Sequence, residues 1–133
     1  MAEAATMQVE LVSPERKLFS GLATMVIARP LDGDAAFLPG HAPFLGLLGI
    51  GPVTIRTAEG VDIKAAVHGG FIEVKDNKVT ILSDVAELAS DLDANRAAAA
   101  KAKLEAKQHE HTEEEASAAL RRAHVRYELA TSK

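Results

Sequence analysis

Glycine and proline are confined to the first 70 residues of this chain, and no other sequence feature limits its fold as strongly. The last proline is Pro52 and the last glycine is Gly70, so residues 89–133 contain neither. Because these two residue types are the strongest breakers of regular helix, the early part must be rich in turns, whereas the late part can form long helices. The sequence therefore predicts two domains, residues 1–88 and residues 89–133.

Short apolar segments separated by turn residues fill the first domain. Residues 61–67 alternate apolar and polar side chains, which is the period-two pattern of a half-buried strand. The segments predicted as strands are 7–12, 16–20, 23–29, 35–38, 44–50, 52–57, 61–67, 71–75, 78–82 and 84–88. Many short strands with no helices between them indicate an antiparallel β-sandwich or flattened barrel. With the helices that follow, the fold class is α+β.

The second domain is predicted to be an antiparallel two-helix hairpin. Its helices span about 91–108 and 113–130, with a turn at 109–111. Ser90 with Asp93 resembles a capping box, and Thr112 with Glu115 matches one more closely. The apolar stripes predicted to face each other are Ala97, Ala100 and Leu104 on the first helix, and Ala116, Leu120, Ala123, Tyr127 and Ala130 on the second.

This hairpin is predicted to form readily but to dock weakly. Its 45 residues include thirteen alanines and only six larger apolar residues. Alanine has the highest helix propensity but buries little apolar surface. The composition thus favours a movable arm.

Composition and charge exclude several classes of partner. Residues 1–88 have a net charge of −4 and residues 89–133 a net charge of zero, and only 4% of the residues are aromatic. Neither domain has the basic surface or the stacking platform that nucleic-acid binding requires. The apolar run 42–53 is interrupted by Pro43, Pro52 and glycines, and falls short of the roughly 20 residues that span a bilayer. We expect no direct membrane insertion and, since no basic residue precedes Arg16, no signal peptide.

Catalytic motifs are absent from the sequence. It contains no phosphate-binding Gly-x-x-x-x-Gly-Lys loop, no Gly-x-Ser-x-Gly and no His-Glu-x-x-His. His109 and His111 could bind a metal, but no third ligand is placed beside them, so no metal site is predicted. His41 is read as fixing a loop or an interface. One alternative stays open, a small jelly-roll enzyme that uses His41 and His68.

Four segments of the chain carry a resemblance to a known family. They are residues 11–21 (LVSPERKLFSG), 37–43 (FLPGHAP), 69–74 (GGFIEV) and 79–82 (VTIL). In this order, they resemble the epsilon subunit of bacterial F-type ATP synthase, along nearly the whole chain. The resemblance implies a β-sandwich followed by a helical hairpin, the same fold that the residue pattern predicts.

The function that the resemblance implies is that of a non-catalytic rotor subunit in the central stalk of a proton-translocating complex. Its implied partners are the gamma subunit and the membrane c-ring, together with the alpha and beta subunits when the hairpin is extended. Asp34 and His41 match positions that face the ring. The implied location is peripheral, on the cytoplasmic face of the bacterial cell membrane, where the hairpin inhibits ATP hydrolysis. A free-standing adaptor whose hairpin binds another helix is the other alternative.

The segment 92–97 (LDANRA) matches the nucleotide motif of that family. The resemblance implies a regulatory ATP site, while no cofactor is required otherwise. The residues carried over to this site are Glu87, Leu92, Asp93, Arg96, Ala97, Lys103, Arg122 and Arg126. Lys103 stands where some ATP-binding members have arginine, and lysine lacks the bidentate fork of a guanidinium. Alternatively, Asp93 serves only the helix N-terminus and the arginines are solvated.

Two departures from the family pattern stand out. Residues 33–36 read GDAA where Gly-Glu-x-Gly is usual, and alanine does not adopt positive φ as cheaply as glycine. His68 stands where serine is common, directly before Gly69 and Gly70.

Overall fold

The computed structural model describes residues 5–92, 94–106 and 113–131, which form a strand-rich domain followed by two helices. The strands are β1 (Met7–Val12), β2 (Lys17–Ala28), β3 (Ala35–Phe37), β4 (Phe44–Thr57), β5 (Asp62–Lys75), β6 (Lys78–Ser83) and β7 (Ala86–Leu88). After a 3₁₀ turn (Ala89–Asp91), helices α1 (Ala94–Ala106) and α2 (Glu113–Thr131) form the C-terminal hairpin. The predicted α+β class, a β-sandwich followed by a two-helix hairpin, is confirmed.

Five strands close into a flattened ring in the order β1, β6, β5, β4 and β2, and β2 returns to pair with β1. Strand β3 adds to β2, and β7 adds to β5. The prediction of antiparallel pairing throughout is wrong at one place, because β1 and β6 run parallel. The reason is geometric, since strand directions cannot alternate all the way around a closed ring with an odd number of members.

The core lies inside this ring and is formed by alternate side chains of its strands. In β1, Met7, Val9 and Leu11 are buried, while Gln8 and Glu10 are partly exposed. The largest fully buried side chains of the domain are Phe37, Met7, Leu11, Ile55, Ile72 and Ile81. Burying each contributes roughly 1.5–3 kcal/mol, so this core supplies the main stabilisation of the fold.

Three of the predicted breaks between strands are absent. Strand β2 continues through Gly21, β4 through Gly51, and β5 through Gly69 and Gly70. A glycine weakens a strand, but it also lets the strand bend without ending where its neighbours still supply backbone hydrogen bonds. The ten predicted segments therefore merge into seven strands.

The two glycines of β5 mark the point where this strand changes partner. Residues 65–67 pair with β7, and residues 70–75 pair with β6. Both glycines have positive φ, 88° for Gly69 and 128° for Gly70, and the face that points to the core changes across them. Odd-numbered side chains enter the core before the glycines and even-numbered ones after: Ala65 and Val67, then Ile72 and Val74.

Helix α1 begins later than the predicted residue 91, because Leu92 has an extended backbone (φ −89°, ψ 137°) between the 3₁₀ turn and the helix. Helix α2 agrees with its prediction to within one residue. Asp93 and residues 107–112 lie outside the described residues, and with them both predicted capping boxes and the predicted turn.

Helix α2 packs against the sandwich as well as against α1. Its Val125, Leu129 and Ala130 form a small buried cluster with Ala66 of β5, Ala89 and Leu92, and Ile50 of β4 lies against this cluster. The predicted stripe on α2 included Ala123 and Ala130, both buried, but omitted Val125 and Leu129. The predicted stripe is incomplete because it takes only α1 as the neighbour of α2, whereas α2 also packs against the sandwich.

The predicted stripe on α1 is partly wrong. Ala97 is buried and Leu104 is half-buried, but Ala100 is exposed. Ala100 lies one turn beyond Arg96 and borders a cavity.

Candidate functional site

A cavity of about 340 Å³ lies where the sandwich meets both helices. Each structural unit contributes: Glu87 from β7, Asp91 and Leu92 from the connection, Arg96, Ala97 and Ala100 from α1, and Arg126 from α2. The two arginines and the two carboxylates make the cavity a charged cleft. The small side chains of the two alanines leave room for it. Its volume is within the range of sites for small ligands.

An ion pair between Arg126 and Glu87 joins α2 to the sandwich across this cavity. Both Nε and Nη2 of Arg126 contact the same carboxylate atom, Oε1 of Glu87, at 2.7 and 2.6 Å. Both side chains are about one-third exposed, so solvent screens the pair only in part. Charge-assisted bonds of this kind are stronger than neutral ones, so this ion pair is a strong polar link between the hairpin and the sandwich.

His68 lies beneath this ion pair. Its side chain is only 3% exposed, and its Nε2 is 3.3 Å from Oε1 of Glu87. Neither ring nitrogen has a hydrogen-bond partner within the described part of the chain. Burial, followed by the charge of Arg126, lowers the pKa of His68 below its ordinary value; Arg122 acts in the same direction and Glu87 opposes them. Both effects favour the neutral form of the imidazole.

The structure brings together five of the eight residues predicted for the nucleotide site: Glu87, Leu92, Arg96, Ala97 and Arg126 line the cavity. Arg122 does not line it, although it lies close enough to affect the pKa of His68. Lys103 is exposed in the last turn of α1, away from the lining. Asp93 lies outside the described residues.

Three residues of this region were not predicted as parts of the site: Asp91, Ala100 and His68. Ala100 had a local signal, since it is four residues after Arg96 and so on the same helix face. Asp91 is exposed and is bound by Arg16 at 3.2 Å. No sequence pattern points to His68, because its position under Glu87 depends on the pairing of β5 with β7.

Asp34 and His41 lie on either side of the short edge strand β3. Asp34 is exposed and its carboxylate is 3.5 Å from Nε of Arg29. His41 is also exposed, and its Nδ1 lies 2.6 Å from the carbonyl oxygen of Ala42. Its ring packs edge-on against Phe37 and Phe44, with centroids 5.0 and 6.4 Å apart. These contacts restrain the 38–43 loop, while the side chain of His41 stays exposed.

An exposed apolar row crosses three strands of the sandwich, and the sequence did not predict it. Leu47 of β4 pairs with Phe71 of β5, which pairs with Leu82 of β6. These three side chains are 51%, 49% and 54% exposed. Leu45 and Leu31 continue the row and are more exposed still. A contiguous exposed apolar patch rimmed by polar residues is typical of a protein contact surface.

Among the residues that the structure describes, no three histidine, aspartate or glutamate side chains are grouped as metal ligands would be. His109 and His111 lie outside this part of the chain. Neither described helix has the length and apolar character needed to cross a membrane.

The fold and the site together define a β-sandwich subunit whose C-terminal helical hairpin is held against it by an ion pair. Residues 6–89 match the family model described as the ATP synthase delta/epsilon chain, beta-sandwich domain. The ATP synthase epsilon chain of Streptomyces avermitilis is 54% identical over 94 residues, covering 71% of this chain and 76% of that protein. The Streptomyces coelicolor epsilon chain is 46% identical over 120 residues, covering 90% and 97%.

The fold is also similar to a solved structure. A chain in the Euglena gracilis mitochondrial ATP synthase, described as OSCP/F1/c-ring in rotational state 1, superposes with a TM-score of 0.75 over 99% of this chain and 83% of that one, at 19% identity.

The chain belongs to the ATP synthase epsilon chain family, whose members are non-catalytic subunits of that complex. The alternative of a jelly-roll enzyme is therefore wrong. The two histidines that it required have separate surroundings, since His41 packs on Phe37 whereas His68 contacts Glu87.

Proposed function

We propose that this chain is a central-stalk subunit of a proton-translocating F-type ATP synthase at the cytoplasmic face of a bacterial membrane. Its sandwich joins the gamma subunit to the c-ring. Its hairpin regulates ATP hydrolysis by leaving the sandwich and extending toward the alpha and beta subunits, and ATP favours the docked form. The observation that carries the regulatory part is the Arg126–Glu87 ion pair across an otherwise small hairpin interface.

The apolar row of Leu47, Phe71 and Leu82 is the surface we assign to gamma. Three large side chains in direct register across neighbouring strands give a flat apolar face that would gain free energy on burial. Hairpin docking uses other residues of the same strands, Ile50 and Ala66, on the other side of the β5 glycines. The sandwich can therefore hold gamma while the hairpin moves.

The loops around β3 are assigned to the c-ring. Asp34 and His41 are both exposed, and His41 is oriented by its contacts with Phe37 and Phe44. Polar side chains on a fixed loop suit the proposed contact with the c-ring, because such a contact buries little apolar surface.

The regulatory nucleotide is placed in the cavity between the sandwich and the hairpin. Arg96 of α1 and Arg126 of α2 border it from two helices, and Glu87 borders it from the sandwich. Phosphate oxygens are strong acceptors for guanidinium groups and would compete with Glu87 for Arg126. A ligand held by all three units at once stabilises the docked hairpin, because it binds that form in preference to the extended one.

The hairpin is suited to release. Among the described residues, the buried cluster at its contact with the sandwich has six side chains, and three of them are alanines. Such a contact is balanced closely enough that a ligand at about a hundred times its dissociation constant, which adds roughly 2.7 kcal/mol, can change the dominant conformer.

Calorimetric titration of ATP into the isolated full-length subunit tests the nucleotide site. We expect saturable binding in the wild type. Arg126→Ala should weaken it at least about tenfold, because hydrogen bonds to charged groups contribute roughly 1.5–3 kcal/mol each.

Arg121→Ala is the matched control. Arg121 is on the same helix, is exposed and does not line this cavity. Its removal should leave the affinity unchanged. Equal binding by the Arg126→Ala variant, or no heat at millimolar ATP in the wild type, would contradict the proposed nucleotide site. Neither result would contradict the proposed rotor role.

A further inference from the structure

His68 is the one buried titratable side chain placed at the contact between the sandwich and the hairpin in the described residues. Like Ala66, two residues before it in β5, it is buried in the half of the strand that α2 covers, and Ala66 is part of the cluster that binds α2. Hairpin release would expose it. Its protonation state and the position of the hairpin are therefore linked.

The charged groups around His68 come from two elements. Glu87 of β7 approaches its Nε2 at 3.3 Å, and Arg126 and Arg122 of α2 face it from the hairpin. The attraction of Glu87 is divided, since both Nε and Nη2 of Arg126 already contact the same oxygen. A proton on His68 would place a third cation next to two arginines, with Glu87 as the carboxylate that approaches it.

We propose that His68 makes docking of the hairpin sensitive to protons, so that acidification releases α2 from the sandwich. Both arginines that oppose the proton are on α2, and release removes them together while water reaches the imidazole. Glu87 and His68 remain behind on the sandwich, free to form a pair. This proposal rests on the mobile hairpin of the proposed function, but not on nucleotide binding.

The direction of the effect follows from proton linkage. Burial and the arginines lower the pKa of His68 in the docked form, whereas release returns this pKa toward its ordinary value. The released form therefore binds the proton more tightly. Docking is at its strongest above the ordinary pKa of histidine and is lost as the pH falls below it.

A pair of dyes on the full-length chain measures this release. The sequence contains no cysteine, so Glu59→Cys in the β4–β5 turn and Thr131→Cys at the end of α2 provide two unique labelling sites, both exposed. Energy transfer is recorded from about pH 8 to about pH 5, the range in which histidine changes charge, without nucleotide. We expect the ratio of docked to released hairpin to fall several-fold on acidification.

Two variants in the labelled background isolate His68. His68→Ser, which removes the titratable ring, should make the docked fraction independent of pH across this range. His124→Gln removes the exposed histidine of α2, which pairs with Glu128 at 2.8 Å, and should keep the wild-type response. The same acid response in the His68→Ser variant, or none in the wild type, would overturn the proposal.

Leu129→Ala in the same labelled background distinguishes a failure of the His68 proposal from a failure of the proposed mobile hairpin. Leu129 is a buried member of the docking cluster, so its truncation should release the hairpin at any pH. If this variant releases the hairpin but the wild type shows no response to acid, the proposal for His68 is contradicted and the mobile hairpin is supported. A hairpin that neither acid nor Leu129→Ala releases contradicts both.

Discussion

Gly70 occupies a position in β5 that other residue types fit poorly. Its φ of 128° is outside the range that L side chains readily adopt, and a Cβ there would overlap the carbonyl oxygen of Leu82 and approach Cα of Ser83 to 2.8 Å. The strand changes partner at this point, so the missing side chain is what lets β6 come close. Together with Gly69, it sets which faces of β5 point to the core, to the hairpin and to the apolar row.

We predict that Gly70→Ala lowers the free energy of unfolding by roughly 3 kcal/mol or more, because backbone strain and a steric clash add at one site. Urea unfolding of the isolated subunit measures this. Gly60→Ala is the control: its φ is 85°, but no atom lies within 4 Å of the added Cβ, so strain alone should lower stability by about 1–2 kcal/mol. Equal losses in the two variants would mean that the close approach of β6 is unimportant.

The hairpin is the element whose stability is least tied to the core. Its contact with the sandwich, as far as the structure describes these residues, includes one small cluster and the Arg126–Glu87 ion pair. Val125 and Leu129 are the larger α2 side chains in that cluster, and the alanines around them add little area. Docking thus depends on a few residues, whereas the sandwich core is distributed over its whole ring.

Leu129→Ala should weaken docking by roughly 2–5 kcal/mol, the range for truncating a buried leucine. Hydrogen exchange should then become faster in α2 while the amides of β2 and β5 keep their protection. Leu82→Ala is a matched truncation at a leucine that is 54% exposed. It should change hydrogen exchange neither in α2 nor in β2 and β5. Loss of protection throughout the sandwich in the Leu129→Ala variant would show that the two domains unfold as one unit.

At the scale of the molecule, the two proposed contact surfaces share two long strands. Strands β4 and β5 present Leu47 and Phe71 in one half and Ile50 and Ala66 in the other. The first pair belongs to the surface assigned to gamma and the second to the hairpin contact. Assembly and regulation should therefore be separable by changes at different ends of the same strands.

A complex reconstituted with residues 1–88 alone should assemble and should hydrolyse ATP at least as fast as the complete one, because the sandwich keeps its core and the apolar row but loses the hairpin. Full-length Phe71→Asp should do the opposite, folding normally but binding gamma weakly, since a carboxylate cannot be buried there without loss of hydration.

Copurification with gamma and the rate of ATP hydrolysis are the two measurements. Val61→Asp is the control for Phe71→Asp, since Val61 is 58% exposed and lies next to the β4–β5 turn, outside the row. It should assemble normally. A fragment 1–88 that fails to fold or to bind gamma would contradict the division into two domains, which remains a prediction.

The sequence by itself determined the features that depend on neighbouring residues. The absence of glycine and proline from residues 89–133 predicted the helices, and the alternation in residues 61–67 predicted a strand. The contiguous LDANRA motif put Arg96 and Ala97 side by side, and both line the cavity. Periodicity and turn preference act over a few residues, so these predictions needed no knowledge of the fold.

Tertiary structure alone decided the contacts between distant segments. The parallel pairing of β1 with β6 follows from closing a ring of five strands, and it could not be read from either strand. Glu87 and Arg126 are 39 positions apart, and His68 joins them only because β5 pairs with β7 beneath α2. Such contacts depend on how elements dock, and docking is set by surfaces that exist only once the elements have formed.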